Sequence, residues 1–209
     1  MFITFEGIDG SGKSTQISYL KDWLEDKGHT ILVLREPGGN IVSEQIRTLL
    51  LDSKEEIDPR SELLLFTAAR AQLVSKVIRP ALKQGSIVIC DRYIDSSVAY
   101  QGYGRGLPVN DIHLINAFAI NGLVPDITFI FDLPVEDAAL RAGFRSTDKK
   151  SSPDRMEQSG EEFFKKTKEG YLKIAEDANR RIFVVQANEQ VESIRLQVCS
   201  IVDTCLKSL

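Results

Sequence analysis

The sequence predicts an α/β protein with five short strands in a mostly parallel sheet flanked by helices. Three observations predict it. Apolar runs of four or five residues recur along the 209 residues, and helical patterns stand between them. The run Ile31–Leu34 is apolar throughout, as in a strand buried on both faces. Between the first run and the first helical pattern stands a glycine-rich turn of defined spacing, Gly7 to Thr15.

The elements follow in order. A strand over Phe2–Phe5 precedes the turn, and a helix over Lys13–Lys27 follows it. Ile17, Leu20 and Leu24 share one face of that helix, and Gly28 stands in the position that stops it. The second strand is Ile31–Leu34. Arg35-Glu36-Pro37-Gly38-Gly39 reads as a turn, and a helix over Val42–Leu51 comes next. Asp58 and Pro59 open a long helix as N-cap and first residue, which Pro80 is expected to kink or end. A strand over Ile87–Cys90 runs into Asp91-Arg92-Tyr93. The polar stretch Ser96 to Gly106 reads as a connection to a helix capped by Asn110 or Asp111 and reaching Ala119. The fourth strand, Ile127–Phe131, ends at Asp132 and precedes a helix over Val135–Leu140. Gly143 to Pro153 is basic and nearly free of apolar residues. A helix over Glu161–Asp177, a fifth strand over Ile182–Val185 and a helix over Val191–Leu206 complete the chain. No repeat or linker divides it, so a single domain over 1–209 is expected, with a lid segment at about 141–155.

Composition excludes several classes. A net charge of −4 gives no bulk attraction for nucleic acid or an acidic membrane. No apolar run approaches the roughly 20 residues of a membrane span, and the first residues already form a strand. A cytoplasmic protein is expected. Cys90, Cys199 and Cys205 lack metal-ligand spacing, and His29 and His113 stand far apart.

Ligands of such sheets sit beyond the carboxyl ends of the strands. Gly7, Gly12, Lys13 and Ser14 satisfy G-x-x-x-x-G-K-[ST], a phosphate-binding loop. The backbone amides around Gly7, Ile8, Asp9, Gly10, Ser11, Gly12 and Thr15 can turn toward phosphate oxygens. Lys13 adds a point charge, and the Ser14 hydroxyl can hold a metal ion. Asp91, at the end of an apolar strand, is placed to hold Mg²⁺, and Arg92 offers a planar fork for phosphate. Asp9, set among phosphate-directed amides, is expected to hold an arginine or accept from a substrate hydroxyl. Phe66 and Arg70 lie i, i+4 on one helix face, where an aromatic is more often core than ligand-stacking. Arg141, Arg145 and Arg155 belong to the basic segment, which can neutralise a transferring phosphoryl group because the loop itself has no arginine.

These motifs resemble the bacterial thymidylate kinases over nearly the whole chain. The specific matches are Glu36-Pro37-Gly38-Gly39, Leu64 through Gln72, Asp91-Arg92-Tyr93, Ala99-Tyr100-Gln101-Gly102 and Asp154-Arg155-Met156-Glu157. The resemblance implies a nucleoside monophosphate kinase-like P-loop NTPase fold with a short lid. It implies transfer of the γ-phosphoryl group of ATP to dTMP, with Mg²⁺, in a homodimer, for which the long Pro59–Leu82 helix is the candidate contact. The loop would bind ATP, with Arg155 on the lid and Asn188 in the Ala187–Val191 region bordering adenine. Arg92 with Arg35 or Glu36, beside Pro37, would set the dTMP phosphate. Phe66 would stack on thymine, Arg70 would bond its O4, and Ser97, Tyr100 and Gln101 would line base and sugar. Asp9 would contact the 3′-hydroxyl or an arginine. Gly143 to Pro153 is richer in Ser and Lys than is usual in the family; Arg145 is the first choice for the transferred group and Arg141 the second. The rival readings are another monophosphate kinase, of UMP or CMP type, and a nucleotide switch. A switch would need a water-orienting residue and, for guanine, an Asn-Lys-x-Asp motif, which the sequence lacks.

Overall fold

A computed structural model describes residues 1–53, 55–146, 155–177 and 181–207. Its core is a parallel sheet of five strands: β1 (Phe2–Glu6), β2 (Ile31–Arg35), β3 (Ile87–Asp91), β4 (Ile127–Asp132) and β5 (Ile182–Gln186). Their order is β2-β3-β1-β4-β5. The chain therefore winds to one side of β1 for β2 and β3 and to the other for β4 and β5. That reversal opens a crevice beyond the carboxyl end of the central strand.

Side chains alternate across β1. Ile3 and Phe5 enter a core with Phe129, Phe131, Leu20, Leu24 and Val198, under α1 (Lys13–Asp26) and the C-terminal Val191–Leu206 helix. Phe2 enters the opposite core with Val88, Cys90, Leu73 and Tyr93. The three central strands are buried on both faces, as their apolar runs demand. β2 departs from the expectation of a fully buried strand. It is an edge strand in which Leu34 alone is buried, because only β3 pairs with it.

Helix α1 ends as its sequence indicates. Gly28 N–H bonds Glu25 and His29 N–H bonds Leu24, with Gly28 at φ +85°. Asn40 caps α2 (Ile41–Asp52) by accepting from Ser43 N–H. Asp58 caps α3 (Pro59–Leu73), accepting from Arg60 and Ser61. Pro80 does not end the long helix. A π-helical turn over Val74–Ile78 comes first, with Arg79 N–H on the Val74 carbonyl, and α4 (Arg79–Lys83) continues through the proline. The wider turn shifts the hydrogen-bond ladder just ahead of the residue that lacks an N–H.

Ser96 to Gly106 is not an open connection. It is helical, as α5 (Ile94–Ser97) and a π-helical segment Val98–Gly104, and most of it is buried beneath α8 (Glu161–Asp177). Its hydroxyls and amides are consumed by the site described below, which is why a polar sequence can lie inside. The next helix, α6 (Val109–Ile120), is preceded by Pro108 with no side-chain cap, so Asn110 and Asp111 fall inside its first turn. Helix α7 runs over Val135–Ser146, past the expected end at Leu140, and the C-terminal helix is α9 (Val191–Leu206).

Candidate active site

The loop between β1 and α1 folds as its glycines require. Gly7, Gly10 and Gly12 have φ of +134°, +80° and +92°. A Cβ on Gly10 would lie 2.4 Å from the Ala138 carbonyl oxygen, so α7 packs directly on the loop. Gly12 begins α1 without a side-chain cap, which leaves the first amides of a 14-residue helix for an anion. Lys13 is buried and donates to the Gly7 and Ile8 carbonyls at 3.0 and 3.1 Å. Burial lowers its pKa first and the charge of Arg92 second, while Asp91, Asp9 and Glu6 oppose them. Ser14 lies exposed at the start of the helix.

Among the described residues, two pockets lie on opposite sides of the Asp9–Gly12 part of this loop. One contains Asp9, Arg92, Phe66, Arg70, Tyr100 and Gln101, with Glu36, Pro37 and Ser97 also in its wall. The other lies against Gly10, Ser11, Gly12 and Thr15 and continues to Arg141, Ala187 and Val191. The loop is thus shared between two binding spaces, with Asp9 on one side and Gly10 on the other.

Arg92 stands at the junction in the left-handed backbone region, at φ +72°. Its guanidinium donates to Gly7 O at 2.8 Å, Tyr171 Oη at 3.2 Å and Asp9 Oδ1 at 2.9 Å, and lies over the Tyr100 ring. Desolvation pushes the Asp9 carboxyl up, but Arg92 and Lys13 outweigh it and hold the pKa at about 2. Of the two partners expected for Asp9, the arginine is the one in contact here. Asp91 Oδ1 is buried, has no hydrogen-bond partner and lies 4.0 Å from Lys13 Nζ. An unpartnered carboxylate oxygen beside the loop fits a Mg²⁺ ion that keeps most of its waters. No cluster of three metal-ligating side chains occurs among the described residues, so the donor set is not that of an all-protein cage.

Glu36 and Arg70 form a buried pair, with Arg70 Nε and Nη2 each 2.7 Å from Glu36 Oε2. Arg70 Nη1 donates to Ser97 Oγ and Asn116 Oδ1, and Nη2 to the Tyr93 carbonyl. Four N–H groups of Arg70 thus have protein acceptors, and its Nη2 also lies against the Glu36 carboxylate. It lines the pocket as a fixed wall, and any bond to a base is one shared with these acceptors. Phe66 is half-buried in the same wall. Tyr100 Oη lies 3.5 Å from Asp9, and Gln101 Nε2 donates to Glu62.

Other expected residues lie elsewhere. Arg35 turns to Glu44 on the surface and does not enter the pocket wall, where Arg47 stands instead, donating to the Pro37 carbonyl. Arg155, expected over ATP, is tied to Glu62 Oε2 at 2.6 Å and to the Leu50 carbonyl, on the Asp9 side of the loop. The physical reason is Glu62, a fully buried carboxylate that requires cationic partners. Arg141 donates to the Ala187 carbonyl at the far end of the second pocket. Arg145 falls in the last turn of α7, and its side chain, like residues 147–154 of the expected lid, lies outside the described residues. Asn188 is exposed beside that pocket, next to Ala187 and Glu189 in its wall.

Sequence reasoning misses Glu6, Glu62 and Tyr171. Glu6 is fully buried under the loop, accepting from Tyr93 N–H at 2.8 Å, Ser96 Oγ at 2.5 Å and Tyr171 Oη at 3.2 Å. Burial first and Asp95 second raise its pKa to about 7, against Ser96, Arg92 and Tyr93. A charged residue ending a short buried strand, apolar but for Thr4, is the signal that could have marked it.

Comparison with known proteins agrees with this geometry. A family model described as thymidylate kinase matches residues 5–198. Thymidylate kinase of Chlorobaculum tepidum is 47% identical, with all of both chains covered. That of Kosmotoga olearia is 44% identical over all of this chain and 98% of its own. A crystal structure of thymidylate kinase from Ehrlichia chaffeensis superposes with a TM-score of 0.78 at 36% identity, covering 97% of this chain and 98% of that one. With a phosphate-binding loop between two pockets and full-length relatives of one description, the chain belongs to the thymidylate kinase family.

Proposed function

We propose that the chain transfers the γ-phosphoryl group of ATP to the 5′-phosphate of dTMP, giving ADP and dTDP. The observation that carries this reading is the division of the loop between two pockets, with Lys13 and Arg92 at the boundary. ATP takes the pocket that runs from Gly10–Gly12 to Arg141 and Ala187, and dTMP takes the one walled by Phe66, Arg70 and Tyr100. An oxygen of the acceptor phosphate attacks the γ-phosphorus. The bond from that phosphorus to the β-bridging oxygen breaks, and the electron pair leaves with ADP. No covalent enzyme intermediate is needed; positioning and charge neutralisation do the catalysis.

Lys13 and the α1 amides hold the donor phosphates. Arg92, aimed by Asp9, Gly7 and Tyr171, holds the acceptor phosphate. Ser14 and Asp91 would hold Mg²⁺, which neutralises phosphate charge when bound. Arg141 and Arg145 of the basic segment at about 141–155 serve the donor side. Arg155 is assigned a supporting place behind the dTMP pocket, on the Glu62 carboxylate. A homodimer is supported by exposed apolar side chains on α3 and α6, and a cytoplasmic location by the nucleotide substrates.

A panel of nucleoside monophosphates with ATP, read as ADP formation, tests the reading. dTMP should be the preferred acceptor, with some dUMP turnover because one methyl group is worth only about 1–3 kcal/mol. Preference for UMP or CMP, or ADP release without any acceptor, would overturn it. Lys13→Ala should lower kcat by roughly 10²–10³-fold with the fold retained, checked by circular dichroism.

A further inference from the structure

Glu62 stands in the first turn of α3, wholly buried and outside the pocket wall. Four bonds converge on it. Gln101 Nε2 and Arg105 Nε donate to Oε1 at 2.9 and 3.3 Å. Arg105 Nη2 and Arg155 Nη2 donate to Oε2 at 3.2 and 2.6 Å. Two guanidinium groups donate to this carboxylate, and a carboxylate has only acceptors to offer them and Gln101. Its partner Gln101 does line the dTMP pocket.

A glutamine amide has two ends of nearly equal shape and opposite hydrogen-bonding character. Facing a carboxylate, only the Nε2 end is tolerated. Oε1 is then the amide atom left for the other side, where the pocket lies. Arg70, another polar side chain of this wall, already donates four hydrogen bonds to protein acceptors. The pyrimidines differ at the position a single acceptor can test. Thymine carries a hydrogen on N3, whereas cytosine presents a lone pair there.

We propose that Glu62 is a specificity-positioning residue: it fixes the Gln101 amide with its carbonyl oxygen toward the base, and so selects thymine over cytosine at N3. This rests on the dTMP-kinase reading of the pocket. Arg105 and Arg155 hold the carboxylate in place, and Glu62 itself never touches the nucleotide. An amide at position 62 would offer Gln101 either an acceptor or a donor, and the reading group would no longer have one orientation.

The experiment compares kcat/KM for dTMP and dCMP in wild type, Glu62→Gln, Gln101→Met and the double variant, with Tm recorded for each. Glu62→Gln should lower the dTMP-to-dCMP ratio roughly tenfold or more. Gln101→Met, isosteric and uncharged, should lower it by a similar factor. In the Gln101→Met background, adding Glu62→Gln should change the ratio by less than about twofold, because the group it orients is gone. A ratio unchanged by Glu62→Gln in folded protein overturns the proposal, as does an equal fall in the Gln101→Met background, which marks a structural effect. If Glu62→Gln does not fold, Gln101→Met decides alone: a wild-type ratio overturns the proposal. Absence of dTMP phosphorylation by the wild type would overturn the pocket assignment itself, which separates that failure from this one.

Discussion

Arg92 occupies a backbone region that costs an L-residue about 1–2 kcal/mol, and it does so beside the phosphate loop. The return on that strain is a guanidinium held by Gly7, Tyr171 and Asp9 at once. Two substitutions separate backbone from side chain. Arg92→Ala and Arg92→Gly should both lose roughly 10²-fold or more in kcat/KM for dTMP. Arg92→Gly should be about 1 kcal/mol more stable than Arg92→Ala in urea titration, since glycine tolerates φ +72°. Equal stabilities would show that the conformation carries no strain. Glu6 supplies a second measurement. Its pKa is raised from 4.5 to about 7, so the folded state holds a proton that the unfolded state releases. This group favours folding most below about pH 4.5, and its contribution is lost as pH rises through 7. Asp9, held at about 2 against an ordinary 3.8, acts in the opposite sense: its contribution is present above 3.8 and lost as pH falls toward 2. Glu6→Gln should therefore flatten the decline in Tm between pH 5 and 7; an unchanged slope would assign that decline to other groups.

At the scale of elements, the loop and α7 act as one unit. Gly10 and Gly28 share nearly the same backbone, φ +80° and +85°, but a Cβ at Gly10 meets the Ala138 carbonyl and one at Gly28 meets open space. Gly28→Ala should cost about 1 kcal/mol of stability and leave activity intact. Gly10→Ala should cost roughly 1–3 kcal/mol and also weaken kcat/KM for ATP several-fold, because it pushes away the helix that carries Arg141. The steady-state constants and Tm of the two variants check the contrast. The elements also show what a sequence conveys. Gly7, Lys13 and Asp91 are legible because strand, turn and helix are contiguous and the loop's spacing has one common use. Of the two outcomes expected at Pro80, an end to the helix does not occur, because a π turn beginning six residues upstream shifts the ladder, and no local residue announces it. Ser96–Gly106 reads as a polar connection because its burial depends on α8, about sixty residues later, packing over it. Arg155 belongs to Glu62, and Glu62 carries no mark distinguishing it from a solvated first-turn glutamate.

For the whole molecule, the alternation of strands and helices is enough to give the fold class, but the strand order is not. β2 is as apolar as β3, yet lies at the edge, and only the pairing of β3 with β1 decides it. That order leaves α3 and α6 packed side by side, and both display apolar side chains to solvent. Leu114 and Phe118, one turn apart on α6, are 72% and 90% exposed, and Leu64 on α3 is 56% exposed. Single exposed apolar residues are common, but Phe118 is a large aromatic almost wholly in water, with Leu114 beside it on the same face. Under the homodimer proposal, this face is the candidate to be covered by a second copy of the chain. Phe118→Asp should then shift the protein from dimer to monomer in sedimentation equilibrium, since an unpaired charge at the centre of a desolvated contact opposes association by several kcal/mol. Phe118 lies outside both pocket walls, so a monomeric variant should still phosphorylate dTMP if each protomer holds a complete site. A Phe118→Asp protein that sediments as the wild type would remove this face from the homodimer proposal.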